Sequence, residues 1–252
     1  MNSAVIMKQV PDTEALIKLA PDGSGYVKEG VKFVMNPYDE FGVEEALKIK
    51  EAAGAGEVTI ISLGSERAVE AIRTALAMGA DKGVLLNAGE GSACALGLAK
   101  ALAEELKAGD YKIIFCGKQA IDDDMAQVGP MVAELMGIPC VTVVTKVELS
   151  GNKAVCTREI EGGKEIVEVA LPAVIACQKG LNEPRYASLP GIMKAKKKPL
   201  DQKDISLGDA KAVIVKWEAP PERPPGRIIE GDDAATKAAA LVKALREEAK
   251  VI

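Results

Sequence analysis

Three consecutive carboxylates, Asp122, Asp123 and Asp124, stand between an apolar run and a run of helical spacing. The apolar run, Ile113 to Cys116, is bounded by Gly117 and reads as a strand buried on both faces. Met125, Val128, Val132 and Leu135 then recur at helical intervals. Pro130 is tolerated only in a first helical turn, so the helix is expected to begin near Gln127. Gly117, Lys118, Gln119, Ala120, Ile121, the three aspartates, Met125 and Ala126 thus form a loop at the carboxyl end of a strand. In an open α/β sheet such loops bind ligands, and the free amides opening the next helix suit a phosphate. Three carboxylates repel a phosphate. The phosphate is therefore expected on backbone amides around Gln127, Val128 and Gly129, with the acids facing ribose hydroxyls, N–H donors or solvent. The plainer reading is that the acids cap the helix and favour its dipole. No neighbouring residue supplies a second partner for magnesium, so no metal site is expected.

The chain contains no histidine. That excludes Ser-His-Asp and Cys-His catalysis and histidine-ligated zinc. The five cysteines (94, 116, 140, 156 and 177) form no CxxC pair and read as buried free thiols in a reducing compartment. A net charge of −5 and 3% aromatic residues argue against a nucleic-acid partner. No membrane-spanning run or signal peptide is visible, so a cytoplasmic, bacterial setting is expected. Neither a G-x-G-x-x-G turn after a strand nor a P-loop occurs.

The elements that position these residues alternate between strand and helix. Strands are expected at Ala4–Met7, Val58–Ser62, Val84–Leu86, Ile113–Cys116 and Cys140–Val144. Helices are expected from Pro37 to about Ala53 with Asn36 as cap, from Ser65 to about Met78, and from about Ala93 to Leu106. Residues 14–35 read as a hairpin-like excursion, and Asp81-Lys82-Gly83 as a turn. This order argues an α/β fold, a mostly parallel sheet flanked by helices. From Lys146 the pattern becomes a small antiparallel meander, Val147–Leu149, Ala154–Arg158 and Ile166–Ala170, before a buried strand at Leu171–Cys177. Residues 178–200 read as a polar loop that exposes Leu189-Pro190 and ends in a solvated lysine run, and Val213–Val215 as a last strand. Residues 1–216 are thus expected to form the nucleotide-binding domain, and 217–252 a proline-stiffened arm. The arm's terminal amphipathic helix, starting at Asp232 or Asp233, must fold back or clasp another subunit.

Several stretches together resemble the beta subunit of electron transfer flavoprotein: Met35-Asn36-Pro37-Tyr38-Asp39-Glu40, Arg73 to Asp81, Gly117 to Asp124, and Leu181 to Pro190 running into Lys194–Lys198. The resemblance implies a heterodimer whose alpha subunit holds a redox-active FAD. This chain would be an electron carrier without catalytic residues of its own, serving acyl-CoA dehydrogenases in fatty acid β-oxidation and passing electrons to a quinone oxidoreductase. It implies AMP bound structurally at the positions matching Ile6, Asn36, Pro37, Tyr38, Asp39, Leu63 and Gly117 to Val128. Leu189 matches the family's anchor for the dehydrogenase, and Glu159 matches the acid that pairs with an alpha-subunit arginine and restrains the mobile flavin domain.

A bifurcating branch of the family holds a second FAD instead of AMP and looks like Asp-Gly-Asp-Thr where this chain has Asp122-Asp123-Asp124-Met125. Asp123 lacks glycine's backbone freedom and Met125 offers no hydroxyl to a diphosphate, which favours AMP. Lys8 to Thr13 and Gln127 to Pro130 look like the bifurcating branch. A stand-alone adenine-nucleotide enzyme or sensor would use the same loop.

Overall fold

The computed structural model describes residues 1–90, 94–223 and 225–252. Contacts divide the chain into two compact units, Met1–Trp217 and Glu218–Ile252. Among the described residues the first unit holds eleven strands: β1 (Ser3–Met7), β2 (Gln9–Pro11), β3 (Phe33–Met35), β4 (Val58–Gly64), β5 (Lys82–Asn87), β6 (Ile113–Gly117), β7 (Cys140–Ser150), β8 (Lys153–Ile160), β9 (Gly163–Ala170), β10 (Ala173–Cys177) and β11 (Leu200–Asp204). Its α-helices are α1 (Pro37–Ala53), α2 (Val69–Met78), α3 (Ala95–Lys107), α4 (Val128–Met136) and α5 (Leu189–Ala195).

Nine strands form one sheet in the order β11-β5-β4-β1-β6-β10-β7-β8-β9. Pairing is parallel from β11 to β7 and antiparallel across β7, β8 and β9. The expected α/β fold with its antiparallel meander is thus present. The meander extends the main sheet. β2 and β3 pair separately, with a Leu19–Tyr26 bridge inside the excursion between them.

The central strands are apolar on both faces because both are covered. Val5, Met7, Ile113 and Phe115 pack with the α1 and α2 residues Val43, Leu47, Ile72 and Leu76. Their neighbours Ala4, Ile6, Ile114 and Cys116 pack with Leu102 and Leu106 of α3 and Val132 of α4. The chain winds from β1 out to β4 and β5, then returns to β6 on the other side of β1. The carboxyl ends of β1 and β6 therefore meet at a topological switch point, where open sheets place their crevice.

Several local expectations are corrected. Lys82 and Gly83 lie in β5, not in a turn, because Gly83 pairs with Leu200 of β11, a charged edge strand that the pattern gave no reason to expect. A short 3-10 turn at Glu66–Ala68 precedes α2. Ser65 precedes that turn without a side-chain cap bond. The two strands expected around Lys146 are one, β7, which passes from parallel to antiparallel pairing through an irregularity between Val144 and Lys146. Val213–Val215 is not a strand. The expected start of the third helix at Ala93 lies outside the described residues, as does Pro224 of the arm.

In the second unit, Asp233 caps α6 (Ala234–Lys243) by accepting the Thr236 amide at 2.7 Å, and a π-type turn follows at Ala244–Glu248. None of the residues in α6 or that turn is buried. No helix among the described residues is long and apolar enough to cross a membrane.

Candidate functional site

The crevice at the switch point is held by the first turn of α1. Asp39 is buried, and its two oxygens accept the amides of Lys8, just past β1, at 2.8 Å and of Gly117, the last residue of β6, at 2.7 Å. Burial pushes its carboxyl up to about 7, against the pull of those two hydrogen bonds. Asn36 makes no side-chain cap bond to α1. Its side chain instead donates to the Gln119 carbonyl at 2.9 Å and accepts the Ile121 amide at 3.2 Å. The sequence signal for a helix cap was therefore a loop brace, and Pro37 starts the helix without it.

The loop after β6 is fixed by its own acids. Lys8 Nζ donates to Asp122 at 2.7 Å and to Asp123 at 3.0 Å. Burial draws the Lys8 ammonium down, but these acids outweigh it and hold it above its usual value. Asp123 also accepts the Met125 amide at 3.1 Å, and Asp124 accepts from the Gln119 side chain. The aspartates thus face N–H and ammonium donors of the protein, and they do not cap α4. Asp124 and Ala126 take left-handed backbone, at φ 50° and 53°. That conformation costs a non-glycine residue about 1–2 kcal/mol and clusters at ligand loops. Gln127, at the start of α4, makes no side-chain cap, so the amides of Val128 and Gly129 have no acceptor within the helix.

A cavity of about 400 Å³ opens here. Of the expected nucleotide residues, Ile6, Asn36, Asp39, Leu63, Gly117, Lys118, Gln119, Ala120, Asp123, Met125, Ala126, Gln127 and Val128 line it. Pro37, Tyr38, Ile121, Asp122 and Asp124 do not. Asp122 supports it through Lys8, Ile121 through Asn36, and Tyr38 offers its ring to Lys118 Nζ at 5.1 Å. Sequence reasoning missed Lys8, Cys94, Leu98 and Leu102, and also residues 212–214, which close one wall. Lys8 was legible as the residue leaving a strand on the ligand side of the sheet. Nothing local marked the others.

Glu159 and Leu189 lie outside this cavity. Glu159 is exposed on β8 and accepts from Gln178 Nε2 at 3.2 Å. Leu189, expected in a loop, opens α5 and is 80% exposed.

The walls combine apolar side chains, which suit a flat heterocyclic base, with free amides at one helix start, which suit a phosphate. The family description "Electron transfer flavoprotein domain" matches residues 24–207. Three similar proteins are each described as electron transfer flavoprotein subunit beta. The Syntrophomonas wolfei protein is 44% identical over 95% of this chain and 94% of its own length. That of Bacillus subtilis is 41% identical over the whole of both chains, and that of Mus musculus 41% over 91% and 93%. With its fold, its switch-point crevice and these likenesses along its length, the chain belongs to the electron transfer flavoprotein family as a beta subunit, an electron-transfer protein associated with a flavin and an alpha subunit.

Proposed function

We propose that this subunit holds AMP in the switch-point cavity as a structural ligand. Its heterodimer then carries electrons from acyl-CoA dehydrogenases, through an FAD held mainly by the alpha subunit, to a quinone oxidoreductase. The observation that carries the nucleotide reading is the uncapped start of α4 beside an apolar cavity. Pro130, the third residue of α4, has no N–H, so the first turn offers amides for one phosphate group and few for a second. The cavity volume lies toward the small end of ligand sites, which run from roughly 300 to 1,000 Å³. Both features favour a mononucleotide over a second FAD.

In this reading Asp39 and Asn36 fix the distance between the strand ends and the loop. Lys8 pairs with both Asp122 and Asp123 and offsets one of their two charges, so the phosphate meets amides with the nearest acids already engaged. FAD supplies the redox chemistry, and this chain supplies position: its residues hold the nucleotide, brace the alpha subunit through Glu159 and present Leu189 to the donor. The test is acid release of small molecules from the purified heterodimer, with chromatographic separation of AMP from FAD. One AMP and one FAD per heterodimer is the expected result. Two FAD and no AMP would overturn it in favour of the bifurcating type, and turnover by this chain without its partner would favour a stand-alone enzyme.

A further inference from the structure

Leu189 sits on a helix of seven residues, too short to hold itself in water. Tyr186 before it and Met193 one turn later are 98% and 64% exposed. Of α5 only Ala195 is buried, so contacts beyond side-chain burial must help to fix this ridge.

Two arginines do so, one at each end. Before the ridge, Arg185 lies across α1. Its Nε and Nη2 donate to Glu44 at 2.8 and 2.9 Å, and its Nη1 and Nη2 to Glu51 at 2.5 and 3.0 Å. Its own amide also donates to Glu44, at 3.1 Å. Nearby Asn182 donates to Glu45 at 2.9 Å. After the ridge, Arg73 of α2 donates from Nη1 to the carbonyls of Ala195 at 2.6 Å and Lys198 at 2.8 Å. Lys198 returns the contact by donating to the carbonyls of Leu76 and Ala80 at 2.9 and 2.6 Å. It therefore caps the carboxyl end of α2, and is not the solvated lysine expected from the run it belongs to. Between the clamps, a Cβ on Gly191 would lie 2.5 Å from the Ala77 carbonyl oxygen, so α5 rests directly on α2 backbone.

We infer that Arg185 and Arg73 are positioning residues that hold Leu189 in its docking pose from both ends of the ridge, an inference that rests on the docking reading of Leu189. A flexible anchor would have to be ordered on each encounter, and a clamped one is ordered already. The planar guanidinium of Arg185 spans two acids on one face of α1, about two turns apart, which a lysine cannot do. The same helix, α1, carries Asp39 in its first turn, with Asn36 immediately before it. The nucleotide loop and the docking ridge are thereby fixed to one rigid element.

The experiment uses the intact heterodimer. In Arg185→Gln and Arg73→Gln, the amides of Gly191 and Ile192, which donate to Ser188 Oγ and to the Ser188 carbonyl, are expected to exchange with solvent roughly tenfold faster. The KM for the heterodimer as substrate of an acyl-CoA dehydrogenase is expected to rise about tenfold, with kcat changed by less than about twofold. Placed in a Leu189→Ala background, Arg185→Gln should raise KM no further, because the anchor it positions is gone. Unchanged exchange at Gly191 and Ile192, or a full additional KM increase in the double variant, would overturn the inference. If Leu189→Ala alone leaves KM unchanged while exchange still quickens in the arginine variants, the docking reading has failed and the clamp stands. Should Arg185→Gln not assemble, Glu51→Ala removes only the exposed acid of the clamp and is expected to move exchange and KM in the same direction.

Discussion

Asp39 Oδ1 accepts the Gly117 amide at 2.7 Å, and a Cβ built on Gly117 would lie 2.5 Å from that same oxygen. The carboxylate belongs to the first turn of α1 and the glycine to the last residue of β6. Its other oxygen takes the amide of Lys8, just past β1. One side chain therefore joins a helix start to two strand ends, and it can do so only where the strand end has no side chain.

Gly117→Ala is accordingly expected to destabilise the heterodimer by about 1–3 kcal/mol, the usual range for an overpacked site. The methyl group would also meet Tyr38 Cβ at 2.6 Å, so neither neighbour can simply turn aside. Thermal unfolding and nucleotide content measured on the same preparation check this. A variant that keeps both would show that the close approach is not required.

The pH dependence of stability follows from Asp39. Its folded pKa, about 7, lies above the ordinary carboxylate value because burial penalises the charge. The folded protein therefore keeps this proton where the unfolded chain has lost it. The contribution is fully present below about pH 4 and is lost as pH rises through about 7. The urea midpoint is expected to fall between pH 5 and pH 8 more steeply in the parent protein than in Asp39→Asn. Below about pH 4, where the parent buries no charge either, the variant should be the less stable of the two, since an amide nitrogen would face one of the two backbone donors. Equal slopes in the two proteins would remove Asp39 as the cause.

Glu159 is exposed and its hydrogen-bond partner, Gln178, is neutral. On the bracing role proposed above, that neutral partner would give way to a cation of the alpha subunit at little cost. Glu159→Ala is expected to shift the orientation of the alpha flavin domain by the worth of an exposed ion pair, about 0.5–1 kcal/mol. Small-angle scattering of the heterodimer reads that shift, and identical profiles for the two proteins would count against the role.

On the docking reading proposed above, Leu189→Ala would remove an anchor whose burial is worth roughly 1.5–3 kcal/mol, where ~1.4 kcal/mol is tenfold in affinity. Transfer from an acyl-CoA dehydrogenase is expected to weaken about ten- to a hundredfold. The content of any bound nucleotide and flavin should stay as it is, because Leu189 is outside the cavity. Direct dye reduction of the dehydrogenase is the control. Unchanged transfer would make the donor some other dehydrogenase.

The alternation of strands and helices was legible because the parallel strands are buried on both faces and read as apolar runs. Pro130 set the start of α4 correctly because its geometry is local. What failed to show was whatever depends on partners far along the chain. Asn36 carries every mark of a helix cap, yet its side chain reaches Gln119 and Ile121. Leu200–Asp204 has one apolar residue in five and is a strand only because β5 offers it an edge. Val213 to Val215 has the composition of a strand and no strand to pair with. Part of it serves as a cavity wall instead. In the lysine run, Lys198 gives no sign that its ammonium belongs to α2.

The nine-stranded sheet is open at both sides, and an open side is a template on which another chain can add a strand. Here both outermost strands are charged. β11 carries Asp201, Lys203 and Asp204, and β9 carries Lys164, Glu165 and Glu168. Edge-to-edge stacking of copies would force these charges into dehydrated rows, so the fold can leave its sheet unclosed without becoming the seed of a fibre.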